Sequence, residues 1–147
     1  RAVKGLGAGM TGGFVYVEND AGMHAGAGMA GGHLVIDGAA GDWLGAEMSG
    51  GRIEVRGAAG HLVAAARRGG RRGMTGGLIH VRGSAGAEVG HTMRRGVIAV
   101  DGDIGEFAGA AMIAGTIVCR GRLGGRAGAG LKRGTLLAFG DVSEVQP

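Results

Sequence analysis

A chain of 147 residues with 45% apolar content is long enough to bury a core, and its 37 glycines neither fall at every third place nor lie in a polar tract, which excludes collagen and disorder. The net charge of +4 is carried almost wholly by arginine, since Lys4 and Lys132 are the only lysines; that balance fits an acidic partner, an acidic ligand, nucleic acid or a solvated surface, and selects none of them. Cys119 is the single cysteine, so no internal disulfide forms and a reducing cytoplasm is the expected compartment; no apolar run approaches the roughly 18 residues of a membrane span and no secretory signal is visible.

The chain opens on Arg1 rather than Met and is expected to be part of something longer. A repeat then begins. Met10, Met29 and Met48 stand 19 residues apart, and after a longer gap of 26 the same beat resumes at Met74, Met93 and Met112, with Leu131 in the seventh place. Glycines keep step at Gly13, Gly32, Gly51, Gly77, Gly96, Gly115 and Gly134, and again at Gly22, Gly41, Gly60, Gly86, Gly105 and Gly124. A repeat of this length that persists over seven copies is the signature of a solenoid.

Each copy carries a short segment in which every second residue is aliphatic, the pattern of a strand with one buried face. In chain order the inward pairs are Val15/Val17, Leu34/Ile36, Ile53/Val55, Ile79/Val81, Ile98/Val100, Ile117/Cys119 and Leu136/Ala138. A second, shorter strand is expected through Trp43-Leu44, Glu88-Val89 and Phe107-Ala108. Nineteen residues are too few for a strand, a helix and a return. The predicted fold is therefore all-β: a right-handed parallel β-helix of about seven coils, one domain over residues 1–147, with glycines at the corners. Stacked at about 4.8 Å per coil, the rod is about 33 Å long. Methionine should lie on methionine and Ala21, Ala40, Ala59 and Ala85 on one another, and Cys119 belongs to the core as a small hydrophobe.

Just past each strand an outward column reads Glu18, Asp37, Arg56, Arg82, Asp101, Arg120. Charge pairs are expected between coils, Asp37 with Arg56 and Arg82 with Asp101 and Arg120. Alternating sign argues against a nucleic-acid stripe along this face. His24, His33, His61, His80 and His91 occupy different columns without metal-motif spacing, and the Gly-x-Gly stretches belong to corners rather than to a strand-to-helix turn, so neither a metal site nor a dinucleotide site is expected.

The break in period places an insertion near residues 64–73, containing Arg67, Arg68, Arg71 and Arg72. Inserted loops project from a solenoid, and four guanidiniums suit carboxylates or phosphates. No aromatic residue in the insertion offers a stacking surface for bases. These four arginines are the candidate binding residues, with a solvated loop as the alternative; no catalytic residue is assigned.

The phrases themselves are specific. Gly41-Asp-Trp-Leu-Gly-Ala-Glu-Met-Ser-Gly-Gly-Arg-Ile-Glu-Val-Arg-Gly57, Met93-Arg-Arg-Gly-Val-Ile-Ala-Val-Asp-Gly102, Met112-Ile-Ala-Gly-Thr-Ile-Val-Cys-Arg-Gly121 and the insertion before Gly73-Met-Thr-Gly-Gly77 resemble the C subunit of formylmethanofuran dehydrogenase. A more distant likeness is to the C-terminal β-helix domain of the glutamate synthase large subunit. The resemblance implies a subunit of a larger enzyme. One version is the bacterial formyltransferase/hydrolase complex, which passes formyl from tetrahydromethanopterin to a methanofuran-type carrier and releases formate during formaldehyde oxidation. The other is the molybdenum or tungsten dehydrogenase of methanogens. Rich use of Arg, Ala and Gly suggests a GC-rich bacterial gene and favours the first; a glutamate-synthase-like domain would instead imply flavin and iron–sulfur partners. The resemblance further implies that the metals sit on sister subunits, that this chain binds no cofactor of its own, and that the arginine-rich insertion meets an acidic partner surface or the acidic tail of the carrier.

Overall fold

The computed structural model describes residues 3–142. Seven strands, β1 (Thr11–Val17), β2 (Gly31–Ile36), β3 (Arg52–Val55), β4 (Leu78–Val81), β5 (Val97–Val100), β6 (Thr116–Cys119) and β7 (Thr135–Ala138), form one sheet in chain order. Every neighbouring pair is parallel. There is no helix among the described residues. The result is a β-solenoid with a turn about every 19 residues. Register follows the repeat: Ile53, Ile79, Ile98 and Ile117 stand directly above one another.

The predicted inward columns are the core. Met29, Met48, Met74, Met93 and Met112 are fully buried, as are Leu34, Ile36, Ile53, Val55, Ile79, Val81, Ile98 and Val100, and Cys119 is 1% exposed. Stacking on both sides is what closes a column, so the outermost described coils are more open: Val15 and Val17 are half-buried, Leu136 likewise, and Ala138 and Leu131 are exposed. Each methionine of the 19-residue column, from Met10 to Met112, reaches up to the glycine of the next coil. A β-carbon on Gly77, for example, would stand 2.8 Å from the Met48 Cε, and Gly77 holds a φ of +98° that L side chains rarely adopt.

The second strand is replaced by a corner. Trp43, Glu88 and Phe107 have φ of 59°, 61° and 62°, in the left-handed region and incompatible with an extended strand. Their backbone still bonds to the coils on both sides: Trp43 N donates to His61 O at 2.9 Å and Gly45 N to Ala25 O at 2.8 Å, while Ala46 N closes a turn on Trp43 O at 3.2 Å. Single bridges through Ala21–Ala40–Ala59 and Ala85–Ile104–Leu123 form the neighbouring wall. The buried Leu44, Val89 and Ala108 point inward because a turn, not a pleat, aims them.

Side chains also stitch coil to coil at the corners. In one column Asp20 Oδ1 accepts from Ala39 N at 2.8 Å, Ser84 Oγ from Asp103 N at 2.9 Å, and Asp103 Oδ1 from Arg122 N at 2.7 Å. Three residues further along, Asp42 Oδ1 accepts from His61 N and His61 Nδ1 from Ala87 N, both at 2.8 Å. Each acceptor thus satisfies the backbone donor of its own column one coil later, where the turn leaves no carbonyl in reach.

The charged column pairs only partly as expected. Asp37 Oδ1 meets Arg56 Nη1 at 3.0 Å, and this hydrogen bond raises the Arg56 pKa. Arg82 instead goes diagonally to Glu54 at 3.0 Å, which leaves Asp101 to His80 at 3.1 Å. No ion pair joins Asp101 to Arg82 or Arg120 among the described residues.

Candidate functional site

Among the described residues the coil path is interrupted once. It runs normally through Ala66 and resumes at Met74, whose N–H donates to Ala64 O at 2.8 Å, as Met48 N does to Gly45 O and Met93 N to Gly90 O. Residues 67–73 are therefore extra, and their ends are pinned together by the bond that closes an uninterrupted coil. The strands on either side, β3 and β4, remain in register.

Rather than standing away from the rod, the loop folds back over earlier coils. Arg67 N donates to Glu47 Oε2 at 2.8 Å and its guanidinium lies 3.8 Å from Glu47 Oε1. A turn is closed by Gly70 N on Arg67 O at 2.8 Å. Arg68 reaches over the Trp43 ring, its Cζ 5.9 Å from the centroid, within cation–π range. Trp43 in turn stacks on His24, centroids 5.2 Å apart and planes 10° from parallel. That stack is a direct product of the repeat: the two residues occupy one column, both in the left-handed conformation (φ 63° and 59°), so identical backbones one coil apart lay flat rings on each other.

Met23, His24, Trp43, Arg67 and Arg68 line an open groove of about 390 Å³. Its floor is aromatic and its wall cationic. Glu47 offsets the charge of Arg67 in part, whereas Arg68 has no carboxylate partner among the described residues. Such a groove suits a carboxylate or phosphate carried on an apolar or planar group, held by charge at the wall and by dispersion at the floor. The indole Nε1 of Trp43 is buried without a hydrogen-bond partner among the described residues.

Of the four arginines singled out from sequence, Arg67 and Arg68 come together at this groove. Arg71 and Arg72 are exposed at the outer part of the loop and make no ion pair or cation–π contact among the described residues. Sequence reasoning missed His24, Trp43 and Glu47 as companions of the loop. The alignment of His24 with Trp43 was a usable signal, because one column in a solenoid means contact.

A second concavity lies on the outer face of the sheet. Leu78, His80, Ala99, Asp101, Val118 and Arg120 line about 350 Å³, and Arg120 with Phe139 lines a further 310 Å³ beside it. Among the described residues no three of His, Cys, Asp and Glu are grouped to hold a metal ion. Cys119 is buried, and burial pushes its thiol pKa up, the opposite of an activated nucleophile.

The sequence matches no family model and no curated protein sequence. Among solved structures, the chain is similar to one in the X-ray crystal structure of the formyltransferase/hydrolase complex from Methylorubrum extorquens in complex with methylofuran. The two share 40% identity over 96% of this chain, with a TM-score of 0.90. This chain spans about half, 52%, of the length of that chain. It resembles a subunit of that complex.

Proposed function

We propose that the chain is a non-catalytic scaffold subunit of a formyltransferase/hydrolase complex, which transfers formyl from tetrahydromethanopterin to a methanofuran-type carrier and releases formate in one-carbon oxidation. The observation that carries this reading is the likeness to a subunit of the solved complex, at 40% identity and a TM-score of 0.90. A stiff rod with a core closed from coil to coil suits the task of holding sister subunits in fixed relation. Pterin and metal chemistry then reside on those subunits, in the cytoplasm. Among the described residues no helix is long and apolar enough to cross a membrane.

The arginine-rich loop gives the scaffold a second task. Arg67 and Arg68 at the groove, with Arg71 and Arg72 beyond it, hold the acidic tail of the carrier or an acidic partner surface. Purification of the full-length protein from its host through a tag tests both parts. Sister subunits should come with it, together with formyl-transfer activity that the isolated chain lacks. Recovery of the chain alone, recovery with flavin and iron–sulfur partners, or activity in the isolated chain would each remove the proposal. Changing Arg67, Arg68, Arg71 and Arg72 to Ala should lower carrier retention at least tenfold; unchanged retention and assembly would remove the role of the loop.

A further inference from the structure

The outer face of the sheet has three stretches. Over β1 and β2 it is aromatic, with Phe14 and Tyr16 62% and 50% exposed. Across β3 and just past the end of β4 it is polar and internally balanced: Glu54 lies 3.0 Å from Arg82 and 3.8 Å from Arg56, which also meets Asp37 at 3.0 Å. From β4 to β7 it turns apolar. Register places Leu78 beside Val97, and His80, Ala99, Val118 and Leu137 in one row across four strands. Val97, Leu137 and Phe139 are 38%, 44% and 71% exposed. The two concavities share Arg120, so the patch is continuous from Leu78 to Phe139. Arg120 is exposed and has no ion pair among the described residues, although Asp101 and His80 pair with each other at 3.1 Å close by.

We infer that this face is the docking surface for a sister subunit of different sequence, which covers Val97, Val118, Leu137 and Phe139 with apolar side chains and offers a carboxylate to Arg120. The inference rests on the proposed membership of a complex and adds the face by which the chain joins it. A contiguous apolar patch with a polar rim is the common anatomy of an interface, and an arginine beside an aromatic residue is the usual place for its strongest contacts. Charge favours an acidic partner over a second copy, since this chain carries +4 and Arg120 is exposed on the patch without an ion pair among the described residues, while Asp101 is engaged by the His80 ring. Geometry disfavours further coils of the same chain. A coil adds to a solenoid along its axis, on the sheet's edge, whereas this face looks sideways from the axis; a further coil would narrow the exposure of Leu137 and Phe139, as Val118 between two strands is half-buried, without covering the face.

The test is made in the intact complex, with the tagged full-length chain carrying Val97→Lys and Leu137→Lys, or separately Arg120→Glu. All three residues point outward, so thermal midpoints should stay near wild type. Arg94→Glu, an equal change of charge elsewhere, serves as control. Expected is at least a tenfold loss of one co-purifying subunit in both face variants and none in the control. If wild type brings down no subunit, the complex reading fails. If wild type brings them down and the face variants do so equally well, the docking face fails while the complex reading stands. Dimers of the isolated chain that the face variants dissolve would assign the patch to a second copy. Protection of Phe139 from hydroxyl-radical labelling in the isolated monomer would assign it to the chain itself. Either outcome overturns the inference.

Discussion

The methyl group of Met48 occupies the space where Gly77 would carry a side chain: a β-carbon there would lie 2.8 Å from Met48 Cε and 2.9 Å from Gly51 O. The repeat thus locks together two columns, a methionine and the glycine of the next coil. Gly77→Ala meets two penalties, the left-handed backbone at roughly 1–2 kcal/mol and a clash in a packed core at roughly 1–3 kcal/mol. Gly13 shares the first penalty, with φ +81°, but nothing lies within 4 Å of a β-carbon there. Chemical denaturation of both variants should show Gly77→Ala losing clearly more stability than Gly13→Ala. Equal losses would mean that backbone conformation alone, and not the methionine contact, selects glycine.

Corner acceptors make a second, smaller prediction. Asp42 Oδ1 takes the His61 N–H at 2.8 Å in an exposed setting, so its loss leaves a donor that water can reach. Asp42→Ala should destabilise by about 0.5–1.5 kcal/mol, and Asp42→Asn, which keeps an acceptor oxygen, by much less. A thermal melt of the two variants separates them. If Asn costs as much as Ala, the carboxylate charge rather than the hydrogen bond matters.

The strands, the core and the solenoid were legible because the same aliphatic and methionine columns recur on a fixed beat, and stacking identical coils leaves few alternatives for what touches what. Corners were less legible. Trp43, Glu88 and Phe107 are large residues that read as strand, yet they take a left-handed conformation for which sequence habitually uses glycine. The position of the insertion followed from counting, but its direction did not. That depends on Glu47 accepting the Arg67 backbone N–H and on Trp43 lying under Arg68, contacts between residues 20 and more positions apart. The pairing of Asp101 with His80 was hidden for a related reason: Glu54, outside the charged column, takes Arg82 first.

Cys119 supplies a pH dependence. Burial raises its thiol pKa in the folded state, while the unfolded chain keeps an ordinary value of about 8.5. Below that value both states hold the proton and the group leaves stability unchanged with pH. Above it the unfolded state loses the proton first, so stability falls as pH rises toward the folded pKa. A denaturation midpoint followed from pH 7 to about pH 10 should decline in wild type and decline less in Cys119→Ala. Alkylation of the native thiol at neutral pH should be slow and should speed up only with denaturant. Fast native labelling would contradict the core position.

Removal of residues 67–73 joins Ala66 directly to Met74 and recreates the spacing of the other coils, as in Gly28-Met29 and Thr92-Met93. The bond from Met74 N to Ala64 O, 2.8 Å, is already the one an uninterrupted coil makes, and the inter-coil rung removed with the loop, Gly73 N to Thr92 O at 3.1 Å, falls at the place that Ala66 N then takes. The strain lies at Ala66. Its counterparts Gly28, Glu47, Thr92, Ala111 and Gly130 all have positive φ, and the shortened chain forces Ala66 to join them at about 1–2 kcal/mol. Glu47 meanwhile loses its contact with Arg67, and the Trp43 ring is uncovered. The deletion variant should therefore fold with the same β-rich circular dichroism and a modestly lower thermal midpoint, while its affinity for a glutamate oligomer, measured by calorimetry at low salt, falls at least tenfold. A variant that fails to fold would show that the loop belongs to the structural unit. One that folds and binds the oligomer as wild type does would show that the loop does not carry the acidic contact.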